Sequence, residues 1–292
     1  MNRRDFIISS SLAAVFFNPN IQKLFSAGRN YFDDYDEVLC RKKFSLLIDA
    51  EVAKLPIGDA IAEIGKTFLG TDYVGGTLDK DSKNERLVIN LQGLDCVTFV
   101  ENCLVFARCL KKGNTSFSDY KDELQKIRYR DGIVEGYGSR LHYFCDWIYN
   151  NEDKKILKNV TQEIGGVAYN KTINFMTNHA SSYKQLSDKS NLETIKISEE
   201  AINSRDHYYI PKKNISDVYS SLKSGDIIAT TTTIEGLDVT HTGYVYKESG
   251  STYFLHASLK SKQVIISKNE LGDYVSEDSK KTGIMVARPQ EM

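Results

Sequence analysis

The stretch GLDCVTFVENC, residues 93–103, decides how the rest of the chain is read. Cys96 follows Gly93, Leu94 and Asp95 and opens an apolar series (Val97, Phe99, Val100, Leu104, Val105) spaced like the buried face of a helix. The spacing predicts a helix from Cys96 to about Lys111. Two explanations are open for a cysteine at its first turn. Free cysteine is among the most buried residue types and packs as a small hydrophobe. A helix N-terminus is also one of the few places where a thiol becomes a thiolate near neutral pH. Asp95 favours the helix start electrostatically and is assigned no chemical step.

Upstream of this stretch, helical spacing predicts helices over 36–53 and 57–69, the second ending at Gly70-Thr71-Asp72. Tyr73-Val74-Gly75-Gly76 enters a loop, and a charged segment, 79–86, precedes a short strand over 87–91. Downstream, residues 113–222 read as helix and loop, with helix candidates over 118–128, 139–150 and 198–204. The last seventy or so residues change character. Short β-branched or alternating segments at 226–231, 240–247, 252–257, 264–267 and 283–287 are separated by turn residues, and Glu248-Ser249-Gly250-Ser251 joins the second to the third as a hairpin. Helices first and an antiparallel sheet afterwards predict an α+β fold.

The 292 residues are 41% hydrophobic and 26% charged, which fits one large domain or a domain with a substantial insertion. A net charge of −1 and the lack of any basic run argue against nucleic-acid binding. The start, MNRRDFIISSSLAAVFFNPN, has basic Arg3 and Arg4 followed by an apolar stretch from Phe6 to Phe17. That is too short to span a bilayer and has the layout of a secretory signal over residues 1–28, with Arg3-Arg4 resembling a twin-arginine export signal. The expectation is an exported, periplasmic protein with one domain over 29–292, carrying an insertion over about 113–222, and no membrane span once the signal is removed. Five cysteines (Cys40, Cys96, Cys103, Cys109, Cys145) leave at least one unpaired within the chain, and no CxxC spacing suggests a metal site.

A cysteine nucleophile needs a base to take its proton and a third group to hold that base in place. Of five histidines, His241 begins one predicted strand, in DVTHTGYVYK, and His256 ends the next, in TYFLHAS. In an antiparallel hairpin the start of one strand lies beside the end of its partner, so the two imidazoles become neighbours at one sheet edge. A helix bearing Cys96 that packs on that edge completes the order Cys, His, polar orienter found in papain-like hydrolases. His179 and His207 lack such a context and are read as structural.

Five short elements in this order resemble the NlpC-type cell-wall cysteine hydrolases: Tyr73-Val74-Gly75-Gly76, Asp95-Cys96, Gly225-Asp226, His241-Thr242-Gly243 and His256-Ala257. Two departures stand out, Val97-Thr98 where small residues are usual and a Cys-to-His separation of 145 positions. Both match a narrower group, the N-acetylmuramoyl-L-alanine amidase-like family, whose stretches LDCVTFVE, SRLHYFCDW, GDIIA and GLDVTHTG resemble. The resemblance implies a papain-like fold in which N-terminal helices pack on a C-terminal antiparallel sheet or partly open barrel, with a large helical insertion. It implies hydrolysis of the amide between the lactyl group of N-acetylmuramic acid and L-alanine in peptidoglycan fragments, without metal or cofactor. The alternatives are a γ-D-glutamyl–diamino acid endopeptidase and a non-catalytic cell-wall binding module.

Under that resemblance Cys96 is the nucleophile, its thiolate favoured by the helix dipole, His241 the base, and His256 the group that orients His241. The Cys96 N–H and the Tyr73 hydroxyl would face the oxyanion, although Tyr73 reads equally as a buried aromatic. Within the insertion, Arg140, Tyr143 and Trp147 share one face of the expected helix. Arg140 and His142 are candidate substrate contacts, against the plainer reading of an amphipathic helix with a core Trp. Asp238, three residues before His241, is either a turn residue or a ligand for substrate amide groups.

Overall fold

The computed structural model describes residues 31–81 and 83–292. The expected signal stretch, 1–28, lies outside the described residues. The eight α-helices of the described chain are α1 (Tyr31–Asp49), α2 (Ile57–Lys66), α3 (Cys96–Lys112), α4 (Phe117–Arg128), α5 (Phe144–Asp153), the single turn α6 (Phe175–Asn178), α7 (Lys189–Asn203) and α8 (Leu271–Ser276). Ten strands form one sheet: β1 (Asp72–Tyr73), β2 (Gly93–Leu94), β3 (Leu157–Asn159), β4 (Val167–Ala168), β5 (Tyr208–Pro211), β6 (Ile227–Thr232), β7 (Val239–Glu248), β8 (Ser251–Ser258), β9 (Gln263–Ile266) and β10 (Lys281–Pro289). Their order is β2-β1-β9-β8-β7-β6-β10-β5-β4, with β3 also on β10, and only β1–β2 is parallel. The result is a mixed α+β fold built on an open, mostly antiparallel sheet. Among the described residues no helix is long and apolar enough to cross a membrane.

The sheet buries both faces, and side-chain alternation sorts its residues between two cores. Tyr244, Leu255 and Ala257 face α2 and α3 in the larger core, while Val245 and Phe254 join Ile228, Ile284 and Val286 beneath α8. Helix α3 holds to the first face through a hydrogen bond from the Tyr244 hydroxyl to the Val100 carbonyl at 2.6 Å and an edge-on Phe99–Tyr244 contact. The β7–β8 hairpin turns through Ser249 (φ 50°) and Gly250 (φ 87°), so both central residues are left-handed, as a two-residue turn that matches strand twist requires. Gly225 (φ 81°) brings the start of β6 against the backbone of Gly58 in α2, where a side chain has no room. The neighbouring Asp226 carboxylate accepts two guanidinium bonds from Arg288 at 2.7 and 2.6 Å. The Gly-Asp strand opening therefore serves packing.

Four expectations change. No strand forms over 87–91, because side chains take the backbone groups that a ladder would use: Arg128 donates to the Val88 carbonyl and the Leu91 N–H donates to Asp36 at 2.9 Å. The first helix ends at Asp49, where Glu51 turns left-handed (φ 54°) and a 3-10 turn follows. The helix expected from 139 starts only at Phe144, so Arg140 (φ −70°, ψ 138°) lies on extended chain and does not share a helical face with Trp147. Residues 113–222 also supply β3, β4 and β5 to the sheet as well as helices.

Candidate active site

Asp95 is the N-cap of α3, and its carboxylate accepts from the Thr98 N–H and the Thr98 hydroxyl, each at 2.8 Å. The Asp95 N–H donates to the Thr98 hydroxyl oxygen at 2.9 Å. Thr98 thus closes a reciprocal capping box where Glu or Gln is more usual. The box fixes the backbone at Cys96, the first helical residue, and occupies the Asp95 carboxylate.

Cys96 is half-buried, and the backbone N–H groups of Thr242, Val97 and Cys96 itself point at its sulfur. Burial, with the Asp95 charge second, pushes the thiol up to about 12, outweighing those three donors. The expectation of a dipole-favoured thiolate is therefore corrected: the free protein holds a neutral thiol near pH 7.

The structure brings the two histidines together. His241 Nε2 and His256 Nδ1 are 2.7 Å apart with ring planes at 88°. His241 is half-buried and His256 is 1% exposed, so only the first is open to a substrate. Two local features set this pair. The ladder between β6 and β7 shifts register between Thr230 and Thr231, leaving Thr240 as an extra residue immediately before His241. Such a bulge bends the strand and re-aims the next side chain. Gly243 keeps the space clear: a Cβ there would lie 2.7 Å from the His256 Cβ and 2.8 Å from the Phe254 ring. Burial, then the neighbouring His256, then the Lys281 charge hold His241 well below the usual imidazole range. Burial and Lys281 lower His256 to about 3. Among the described residues no hydrogen bond joins the Cys96 sulfur to either ring; the sulfur meets the strand at the next residue, Thr242.

Tyr73 ends β1 beside β2, the strand that leads into Cys96. Burial, and then the charges of Cys96 and Asp95, raise its hydroxyl to about 12. A cleft of about 200 Å³ opens beside Cys96, lined by Asp79, Asp95, Val97, Glu101, Arg128, Arg140, His142 and others. Arg140 is 6% exposed and ion-paired to Asp79 and, at 3.3 Å, to Glu85. His142 faces the cleft with Nε2 held by the Tyr137 carbonyl at 2.8 Å, and burial lowers it to about 3. Asp238 is not among the cleft residues: it is 2% exposed, and its carboxylate accepts from the Cys145 N–H in the first turn of α5 at 2.9 Å. Trp147 packs in the core, stacked on Phe144. His179 and His207 each bond a nearby backbone carbonyl. All five cysteines are free thiols. Among the described residues no cluster of three or more His, Cys, Asp or Glu is arranged to hold a metal.

Sequence reasoning missed Glu101 with Arg128, whose carboxylate–guanidinium bond of 2.8 Å walls the cleft, and Asp79 and Glu85, the partners of Arg140. It also missed Tyr274 and Lys281, which carry no motif and reach the histidines only through the packing of α8 and β10.

A cysteine at a helix start, a strand-borne histidine pair and a charged cleft make up the candidate site of this α+β protein. The profile of the N-acetylmuramoyl-L-alanine amidase-like family matches residues 63–284, and the chain belongs to that family. A solved N-acetylmuramoyl-L-alanine amidase from Bacteroides uniformis ATCC 8492 is 37% identical, with a TM-score of 0.76 over 80% of this chain and 99% of its own. A Bacteroides fragilis structure provisionally named a xylanase is 37% identical, with a TM-score of 0.72 over 77% of this chain and 98% of its own. A Legionella pneumophila protein at 21% identity and TM-score 0.70, covering 90% of this chain and 97% of its own, shares the fold. None of the curated proteins matches.

Proposed function

We propose that the protein is an exported cysteine amidase with an NlpC-type, papain-like arrangement, hydrolysing the amide between the lactyl group of N-acetylmuramic acid and L-alanine in peptidoglycan fragments. The observation that carries this reading is the 2.7 Å His241–His256 pair one residue from the N–H that meets the Cys96 sulfur, in a member of the amidase-like family. The N-terminal signal layout supports export to the periplasm.

In this reading each atom has a task. When the His241 Nε2–H is donated to His256 Nδ1, His241 Nδ1 is the lone pair left for the thiol proton. The Cys96 sulfur exchanges its backbone donors for the substrate, forms the S–C bond at the lactyl carbonyl, and passes its proton to His241. The Cys96 N–H and the Tyr73 hydroxyl, which has no hydrogen-bond partner among the described residues, face the oxyanion. His241 returns the proton to the departing L-alanine nitrogen as the C–N bond breaks. Water then attacks the thioester, giving its proton to His241; the C–S bond breaks, a lactyl carboxylate leaves and the thiol is restored. His142 and Arg140 shape the adjoining cleft, His142 as a direct contact and Arg140 as a fixed charge in its wall.

A glycosidase reading, suggested by the name of one neighbour, needs two carboxylates free to act as acid and base or nucleophile. The three carboxylates of the cleft are otherwise engaged: Asp79 with Arg140, Asp95 with Thr98, Glu101 with Arg128.

Mass spectrometry of digested muropeptides tests the proposal. Released peptides with a free L-alanine N-terminus are expected. Cleavage that leaves only a new diamino acid N-terminus would replace the proposal with the stem-peptide endopeptidase, and no product from intact protein would favour a binding module.

A further inference from the structure

One side of the histidine pair is closed by residues that the mechanism above does not use. Helix α8 lays Tyr274 over both imidazoles, its ring centroid 4.9 Å from that of His256 and 6.5 Å from that of His241. Phe254 stacks on His256 at 4.7 Å and 19° and also meets Tyr274 at 5.1 Å, so the three rings form one cluster. The Lys281 Nζ sits 4.0 Å from the centre of the Tyr274 ring, on a residue only 8% exposed. The placement of Lys281 has a backbone cause. The β6–β10 ladder shifts register between Lys281 and Gly283, so both partners of β6 carry a bulge at the same end of the sheet. One bulge aims His241 and the other aims Lys281.

We propose that Tyr274 and Lys281 are positioning residues of this site, the ring packing against the two imidazoles and the ammonium over that ring opposing a further positive charge on them. The inference rests on the cysteine-hydrolase reading for its catalytic meaning, while the geometry it invokes is independent of that reading. A buried ammonium over an aromatic face keeps its charge at modest cost through the ring quadrupole. Its field makes the His241 imidazolium a stronger acid, suited to protonating a departing amine, and keeps His256 neutral so that Nδ1 remains an acceptor. Burial lowers the ammonium's own affinity for its proton, and Asp278 and Glu277 oppose that effect. Tyr274 itself also feels Cys96 at the start of α3, and Cys96 in turn interacts with Asp95 and with Tyr73 of β1.

The test compares Lys281→Met with Lys281→Arg. Imidazole titration by ¹⁵N nuclear magnetic resonance on the full chain should show His241 or His256 gaining protons at higher pH in K281M than in wild type, by about one pH unit, with K281R close to wild type. The sign follows from removing a nearby positive charge, which stabilises the imidazolium. In kcat/KM for muropeptide cleavage, the acid limb of K281M should move up by the same amount, because a neutral His241 is needed as base. Imidazoles that titrate identically in K281M and wild type would overturn the inference, as would K281R behaving like K281M. Tyr274→Leu supplies a second reading, with kcat expected to fall at least tenfold more than KM rises; an unchanged kcat would remove Tyr274 from the positioning role. If the wild type cleaves no muropeptide, the proposed function fails while the imidazole titration still decides this inference.

Discussion

Replacing Gly243 by alanine isolates the histidine geometry from the rest of the fold. The added Cβ would stand 2.7 Å from the His256 Cβ, 2.7 Å from the Leu255 carbonyl oxygen and 2.8 Å from the Phe254 ring. Ordinary contacts of this kind lie near 3.4 Å or beyond, so about 0.7 Å must be found. Leu255 cannot yield, since its backbone pairs with both Tyr244 and Ile266 in the middle of the sheet. His256 must withdraw, and a shift of about 0.5 Å stretches the 2.7 Å hydrogen bond to about 3.2 Å, the upper limit of the usual range. A misplacement of about 1 Å can cost about 100-fold in rate, so half of that predicts a loss of 10- to 100-fold in kcat/KM. Overpacking of this size costs about 1–3 kcal/mol of stability, which leaves a folded protein. Kinetics on a defined muropeptide and urea denaturation of the same sample measure the two separately. A folded Gly243→Ala protein with wild-type kcat/KM would refute the claim that Gly243 is there to seat the histidine pair.

Other expectations follow from the same geometry. Cys96→Ala should reduce cleavage by at least about 1,000-fold while substrate binding, measured by calorimetry, remains; persisting cleavage would discard Cys96 as nucleophile. Asp95→Asn keeps an oxygen for the cap but removes the charge that helps hold the Cys96 thiol at about 12, so its alkylation by iodoacetamide at pH 8 should speed up with little change in stability. His256 and His142 are both lowered to about 3, so each stays neutral in the fold while the unfolded chain takes up protons below about 6.5. Their stabilisation is full above pH 6.5 and lost by about pH 3, with each contributing about 2 kcal/mol of the loss by pH 5. The urea midpoint should therefore fall between pH 7 and 5, and a flat midpoint would contradict the burial of these rings as neutral groups.

Much of this site was legible because its parts depend on local rules. The apolar spacing after Cys96, with an acid before it, fixed the helix and its start. The turn residues Glu248 to Ser251 fixed the hairpin, and antiparallel pairing then made neighbours of His241 and His256. What escaped depends on distant contacts. The segment before α5 has helical apolar spacing, yet Gly136 takes φ 70° and Gly138 lies against Thr194 of α7, so long-range packing holds it extended. Asp238 looked available for a ligand from its place near His241, but the start of α5 claims its carboxylate. Lys281 and Tyr274 lie 15 or more positions beyond any motif and reach the site through a bulge that no spacing rule reveals.

The electrostatics of the site set a condition on how it can react. Burial raises the thiol and lowers the imidazole, so in the free protein the neutral pair is strongly preferred to thiolate and imidazolium. Each pH unit of that mismatch is about 1.4 kcal/mol that an ion pair would have to recover. Proton transfer ahead of attack is therefore unfavourable, and transfer is best coupled to formation of the S–C bond. In that coupled step the developing charge moves from sulfur to the carbonyl oxygen, the atom for which the proposed mechanism enlists the Cys96 N–H and the Tyr73 hydroxyl. The imidazolium left behind is a strong acid for the same reason that it was a weak base. Breaking an amide is limited by departure of a poorly leaving amine, and a strong acid at that point serves the harder half of the reaction. The burial that makes Cys96 look like a packing residue is thus compatible with chemistry, provided the proton moves with the substrate in place.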